Sequence, residues 1–365
     1  MAPQFSGRKS LRYPKLMIPG PVDVQESVIV AMAKGVMPHY GAEWTGLYKE
    51  TTNLLKTVFQ TEGDVFLLVG SGTCGLESAI SSMFCPGEKV IIVNNGFFGD
   101  RLLQLARAHN IQYLEAVAEW GRPIDSGVVE RLLAEDRSIT GMVAVHHETS
   151  TGVLNPVQDL GNLARRFGIP LVIDAVSSLG GEELKMDEWG IDVCVAGSNK
   201  SLESVPGVSP VAVNPIGWKR MAGKQFDAPG WYLNLRLWKQ YLEEWGDWHP
   251  APVTIATPVV TALNAALEEL VSEGLENRIT RYKEIAVYFR QSIEKLGFRL
   301  YISNEHASSC ISSVCRLPNM EVSSLISYLL EEKNIQIAGG LGQTKGEIFR
   351  VAIWEKPVPG NVLTC

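Results

Sequence analysis

Two short apolar runs end in groups that could do chemistry together. Leu171 to Ile173 stops at Asp174, and Val193 to Ala196 runs into Gly197, Ser198, Asn199 and Lys200. Each reads as a buried parallel strand, and open α/β sheets bind ligands at the carboxyl ends of such strands. Few cofactors need both an acid and an amine at that rim. Pyridoxal phosphate does: a lysine forms the Schiff base, and an acid keeps the pyridine nitrogen protonated so that the ring can take up electrons. A solvated sheet edge would explain the two residues equally well, so the rest of the chain must decide.

A third group lies upstream. Val65 to Val69 reads as a strand that runs into Gly70-Ser71-Gly72-Thr73-Cys74-Gly75, ahead of a helix expected over 76–83. The spacing matches G-x-G-x-x-G, a dinucleotide pattern that needs an acid about 20 residues on, at the end of the next strand. That strand, Lys89 to Val93, ends in Asn94-Asn95-Gly96. Without the acid, the loop suits a phosphate monoester, held by backbone N–H groups and the positive end of a helix dipole.

The elements that must position these groups alternate. Helices are expected over 25–34, 44–60, 97–108, 124–135 and 157–167, with strands at 112–117, 142–147, 171–174, 193–196 and 209–213. Strand–helix alternation predicts an α/β fold whose mostly parallel central sheet is flanked by helices. An aromatic and proline-rich stretch, Trp245 to Pro252, precedes helices at 257–273 and 276–296, then strands near 298–302, 309–317, 335–338 and 347–353 around a helix at 321–333. The expected organisation is an N-terminal arm (1–24), a large cofactor-binding domain (25–256) and a smaller α+β C-terminal domain (257–365).

Composition narrows the class. The chain has 365 residues, 45% hydrophobic and 20% charged, with a net charge of −7. The negative balance and the lack of a Lys/Arg cluster argue against a nucleic-acid partner. No apolar run is long enough to cross a membrane, and the first ten residues lack the apolar core of a signal peptide, so a cytoplasmic location is expected. The six cysteines (74, 85, 194, 310, 315 and 365) have no C-x-x-C spacing and read as buried, reduced thiols. His146 and His147 are strand neighbours that point to opposite faces, so no metal site is expected.

Taken in order, these pieces resemble the class V aminotransferases of pyridoxal-phosphate fold type I, and within them the alanine–glyoxylate and serine–pyruvate aminotransferases. The resemblance runs from Pro19-Gly20-Pro21 to Arg350. It rests on Gly70-Ser71-Gly72, Asn95 to Gly99, Glu148 to Pro156, Asp174 to Gly181, Ser198-Asn199-Lys200, Pro206-Gly207 and Gly339 to Gly342. It implies that Lys200 is the Schiff-base lysine and proton shuttle, and that Asp174 partners the pyridine nitrogen. By the same likeness Ser71, Gly72, Thr73 and Asn199 hold the phosphate, and Val176 and Phe98 cover the two ring faces. Ser150 then faces the cofactor's 3′ oxygen, and Arg350 grips the substrate carboxylate. Glu148 reads as an exposed strand-end acid and is left outside the site. The donor pocket is expected around His39, Tyr40 and Trp44, completed by a partner subunit in a homodimer with shared active sites.

Three departures from the family pattern stand out. Phe98 falls where the family usually has Trp. Asp247-Trp248-His249-Pro250 lacks the Tyr and Thr with which relatives reach the partner's phosphate. Lys200 is followed by Ser201-Leu202-Glu203-Ser204-Val205-Pro206-Gly207, between the aminotransferase pattern and that of the 2-aminoethylphosphonate transaminases. The expected reaction is ping-pong transfer of an amino group from alanine or serine to glyoxylate or pyruvate. The alternative is a 2-aminoethylphosphonate–pyruvate transaminase. A cysteine desulfurase is disfavoured because Cys310 and Cys315 lie in an apolar, β-like run, and a pyridoxamine–pyruvate transaminase because Ser71 stands where its relatives have Glu. A non-catalytic protein on the same fold is the remaining reading.

Overall fold

The computed structural model describes residues 13–224 and 230–354. Its main sheet contains β1 (Asp64–Val69), β2 (Lys89–Asn94), β3 (Gln112–Val117), β4 (Ile139–Val145), β5 (Leu171–Asp174), β6 (Val193–Val195) and β7 (Val208–Val213). The strand order is β1-β7-β6-β5-β4-β2-β3. All neighbours are parallel except β7, which is antiparallel to both β1 and β6. Val90 to Val93, Met142 to Val145, Leu171 to Ile173 and Val193 to Val195 are buried without alternation, as strands covered on both faces require. The register sets Asp174 level with Val145 and Val195, so the acid stands at the carboxyl edge of the sheet.

The helix after β1 begins four residues earlier than expected, spanning Gly72–Met83 with Ser71 as its N-cap. The glycine-rich segment is therefore the first helical turn as well as the loop. Close packing accounts for this: a Cβ on Gly75 would meet Val195 Cγ1 at 2.7 Å. Helices at Pro215–Ala222 and Leu235–Trp245 were not anticipated. Their signals are local, since Asn214 and Asn234 each accept an N-capping hydrogen bond from a backbone amide.

The small sheet is antiparallel, with Arg299–Leu300, Ile311–Cys315, Ile348–Ala352 and Ala338–Gly339 in that order. The strand expected over 335–338 is split. Ile335–Gln336 pairs in parallel with Lys15–Leu16 of the arm, and Ala338–Gly339 pairs with the last strand. The described part of the arm is thus tied to the small unit. Val260, Leu263, Leu267 and Leu270 of helix Thr257–Glu273 pack in the same core as the main sheet.

Cys194, Cys310 and Cys315 are buried thiols, whereas Cys74 and Cys85 are only half-buried. Cys365 and the short segment after 354 lie outside the described residues. Among the described residues there is no His/Cys/Asp/Glu cluster suited to a metal, and no helix long and apolar enough to cross a membrane.

Candidate active site

Asp174 and Lys200 meet at the sheet's carboxyl edge as the sequence predicts. Asp174 is 5% exposed, and its Oδ1 accepts from the Val176 amide at 2.9 Å. No cation forms an ion pair with it among the described residues. Burial pushes its pKa up to about 7, with the Val176 amide pulling the other way and Glu148 adding to the rise. Lys200 follows β6, and its Nζ donates to the Pro19 carbonyl. Burial and then the Arg350 charge lower its pKa to about 8, against the pull of Asp174. Pro19-Gly20-Pro21 lies directly across the lysine. Gly20 has φ +126°, and a Cβ there would meet Lys200 Cδ at 2.7 Å. The segment must carry glycine here, both for the backbone angle and for the side chain beneath it.

The glycine-rich turn ahead of helix Gly72–Met83 packs around Val176. A Cβ on Gly72 would meet Val176 Cγ1 at 2.8 Å, and one on Gly197 would meet it at 3.0 Å. Ser71 is exposed, with a side chain that caps nothing, and no group among the described residues accepts from the Gly72 or Thr73 amides. These are the free donors of a helix N-terminus. The Asn199 side chain turns back toward Gly197, with Oδ1 3.6 Å from where a Cβ on that glycine would stand.

Sequence reasoning missed Arg101. Its Nη1 donates to Thr73 Oγ1 at 3.3 Å, and its guanidinium carbon lies 4.8 Å from the Phe98 ring centre. No carboxylate pairs with it among the described residues. The signal was its place one helical turn after Phe98, on the same face.

Glu148 was also missed, and it is 0% exposed. Its Oε2 accepts from the Phe98 and Gly99 amides, both at 3.0 Å. Its Oε1 accepts from the Ser150 amide at 3.0 Å and the Ser150 hydroxyl at 2.5 Å. Burial raises its pKa, and these four donors oppose the rise. Glu148 therefore caps helix Phe97–Ala108, which carries Phe98. The Ser150 hydroxyl donates to Glu148 and accepts from the Phe97 amide at 3.1 Å. It serves the wall of the site through these bonds.

Arg350 projects from the small sheet into the same region and is 5% exposed. Nε donates to the Gly339 carbonyl at 2.9 Å and Nη1 to the Thr149 carbonyl at 2.8 Å. Its Nη2 has no partner among the described residues. Burial lowers its pKa to about 10, and Glu148 opposes this. Of the expected donor-pocket residues, Tyr40 is 50% exposed, while Trp44 is a core residue at 1%.

The residues present fit a phosphorylated pyridine aldehyde. Lys200 supplies the amine, and Asp174 is a buried acid without a counter-ion. The open amides of Gly72 and Thr73 could receive an anion, and Val176 and Phe98 offer apolar surfaces. The chain is similar to known proteins over most of its length. The aminotransferase class-V family model matches residues 28–350. An uncharacterized aminotransferase of Methanocaldococcus jannaschii is 35% identical over 92% of this chain and 86% of its own length. Alanine–glyoxylate aminotransferase of Callithrix jacchus is 29% identical over 97% of this chain and 86% of its own length. The crystal structure of alanine–glyoxylate aminotransferase from Nostoc sp. superposes with a TM-score of 0.90 at 29% identity, covering 95% of this chain and 92% of that one.

Proposed function

The chain belongs to the class V aminotransferases, and from that premise we propose that it moves an amino group from alanine or serine to glyoxylate or pyruvate with pyridoxal phosphate as cofactor. The observation that carries this reading is the convergence of Lys200, Asp174, the Gly72 helix turn and Arg350 on one edge of the sheet. Relatives named for alanine and glyoxylate support the choice of small substrates.

The cofactor, when bound, supplies an aldehyde for the amino group and a ring that takes up the electrons of the broken Cα–H bond. The chain's residues do the rest. Lys200 Nζ is the nucleophile that holds the aldehyde and the base that carries the α proton. A pKa near 8 leaves part of the amine neutral at physiological pH. Asp174 meets the ring nitrogen and keeps a proton there. The Gly72 and Thr73 amides, Ser71, Asn199 and Arg101 hold the phosphate. Val176 and Phe98 clasp the ring, and Glu148 with Ser150 fixes the helix that carries Phe98. Arg350 binds the substrate carboxylate through its free Nη2. A planar guanidinium anchored by two backbone carbonyls orients that carboxylate.

The enzyme works as a homodimer in this reading. Tyr40, Trp245 and Trp248 are 46–51% exposed in the single chain and form a continuous aromatic strip, with ring centres 5.6 Å (Tyr40–Trp248) and 5.7 Å (Trp245–Trp248) apart. His39 and His249 meet edge to face alongside, with ring centres 5.0 Å apart. A second copy seated there would cover the strip and bring Asp247-Trp248-His249-Pro250 toward the other subunit's site. Monomers with full activity in sedimentation at micromolar concentration would contradict this.

The test is steady-state kinetics with alanine, serine and 2-aminoethylphosphonate against glyoxylate and pyruvate. Parallel double-reciprocal lines with alanine or serine as the best donor support the reading. A wide preference for 2-aminoethylphosphonate would favour the alternative.

A further inference from the structure

Glu203 lies in the segment after Lys200 that sits between two family patterns, and the structure shows what that residue meets. Glu203 is 7% exposed and has φ +52°, in the left-handed region. A non-glycine side chain there costs on the order of 1 kcal/mol or more and persists only when its surroundings hold it. Its carboxylate pairs with Arg278 Nη2 at 2.8 Å and lies against the Tyr282 hydroxyl. Arg278 is 2% exposed, on helix Leu275–Lys295. Its Nε donates to the Gly180 carbonyl at 3.0 Å. Its Nη2 donates to the Ser201 carbonyl at 2.9 Å, and its Nη1 to Glu273 at 3.3 Å. Gly180 lies in the loop that leaves Asp174, and Ser201 directly follows Lys200. One guanidinium therefore holds both loops that carry the reactive groups.

The same helix also reaches the amine end of the lysine. The Tyr282 hydroxyl lies 3.0 Å from the Trp354 carbonyl, and Trp354 Nε1 donates to the Ile18 carbonyl at 2.9 Å. Pro19, the next residue, carries the carbonyl that accepts from Lys200 Nζ. Hydrogen bonds thus run from Arg278 to the Ser201 carbonyl, directly after Lys200, and from Tyr282 through Trp354 to the strap across the lysine's amine.

Resting on the aminotransferase reading above, we propose that Arg278, with Glu203 and Tyr282, is a positioning device for Lys200. It holds the lysine's main chain and the strap over its amine in fixed relation, so that Nζ stays aligned with the Cα–H bond during proton transfer. The planar fork is essential, because a lysine at 278 would keep the charge but could not reach the same set of acceptors together.

The test uses the holoenzyme and its variants Glu203→Gln, Arg278→Lys and Tyr282→Phe, with alanine and α-deuterated alanine as donors. Wild-type turnover of alanine is the control: if it is absent, the aminotransferase reading fails, whatever the variants do. With wild type active, the variants are expected to keep their cofactor and hold KM for alanine within about twofold. Their kcat should fall by about 10- to 100-fold, the scale of a displacement of around 1 Å. The deuterium isotope effect on kcat should rise, because proton transfer becomes slower than the steps around it. An unchanged isotope effect, or a fall in kcat that follows only lost cofactor, would overturn the proposal. Should Arg278→Lys not fold, Tyr282→Phe and Glu203→Gln decide the matter by the same two measurements.

Discussion

The Glu148 carboxylate lies 3.0 Å from the Phe98 amide nitrogen and caps the helix that presents the Phe98 ring. All four hydrogen bonds that reach this carboxylate come from donors, two on each oxygen. An amide in its place would turn an NH2 group toward two of them. Glu148→Gln is therefore expected to destabilise the fold by about 1–3 kcal/mol, the cost of burying unsatisfied donors. Urea denaturation of the cofactor-free protein measures this, and a loss below a few tenths of a kcal/mol would contradict the capping role.

Arg101 is expected to act through charge on the phosphate. Arg101→Gln should weaken pyridoxal phosphate by about 10- to 100-fold, the worth of a hydrogen bond to a charged group. Pyridoxal, which lacks the phosphate, should bind about as it does to wild type. Equilibrium titration by fluorescence separates the two. An equal loss for both ligands would assign Arg101 to packing against Phe98 instead.

Lys200 should set the pH dependence of covalent cofactor uptake. The neutral amine is the nucleophile, so the rate at which stripped protein takes up pyridoxal phosphate should rise with pH through a midpoint of about 8. Arg350 is the largest charge among the causes that hold this value down. Removing it in Arg350→Gln should move the midpoint upward. A midpoint that stays in place would show that Arg350 does not act on the amine.

Asp174 should make the cofactor-free protein less stable as pH rises. Its folded pKa is raised from 3.8 to about 7 by burial. Between these values the folded state keeps a proton that the unfolded state has released, so stability falls with increasing pH by up to about 1.4 kcal/mol per pH unit. Asp174→Asn should lack this component, and the stripped variant should be more stable than stripped wild type at pH 8 but not at pH 4. Denaturation curves at the two pH values check it. A constant difference would contradict the assignment.

The chemistry-bearing edge of the sheet was legible because strand ends are marked by chemical contrast. Leu171 to Asp174 and Val193 to Lys200 pass from unbroken apolar runs to polar groups, and the order of the glycine-containing segments fixed their place along the chain. Glu148 and Arg101 were not legible, because their roles depend on direction and burial. An acid just past the expected strand end at 147 looks exposed until Gly96 lets it lie beneath a helix N-terminus: a Cβ there would meet Glu148 Oε2 at 2.7 Å. The packing of one long helix was not legible for a similar reason. Helix Thr257–Glu273 has an ordinary amphipathic pattern, and sequence periodicity does not say which core its apolar face joins.

The central claim is that Lys200 holds the cofactor at the carboxyl edge of the sheet. Borohydride reduction of the protein with bound pyridoxal phosphate, followed by peptide mapping, tests it most directly. The account predicts a single pyridoxyl label on the peptide containing Asn199-Lys200-Ser201, and none on that peptide in Lys200→Ala. A label on another lysine of the wild-type chain, or no label in protein that retains the cofactor, would contradict it.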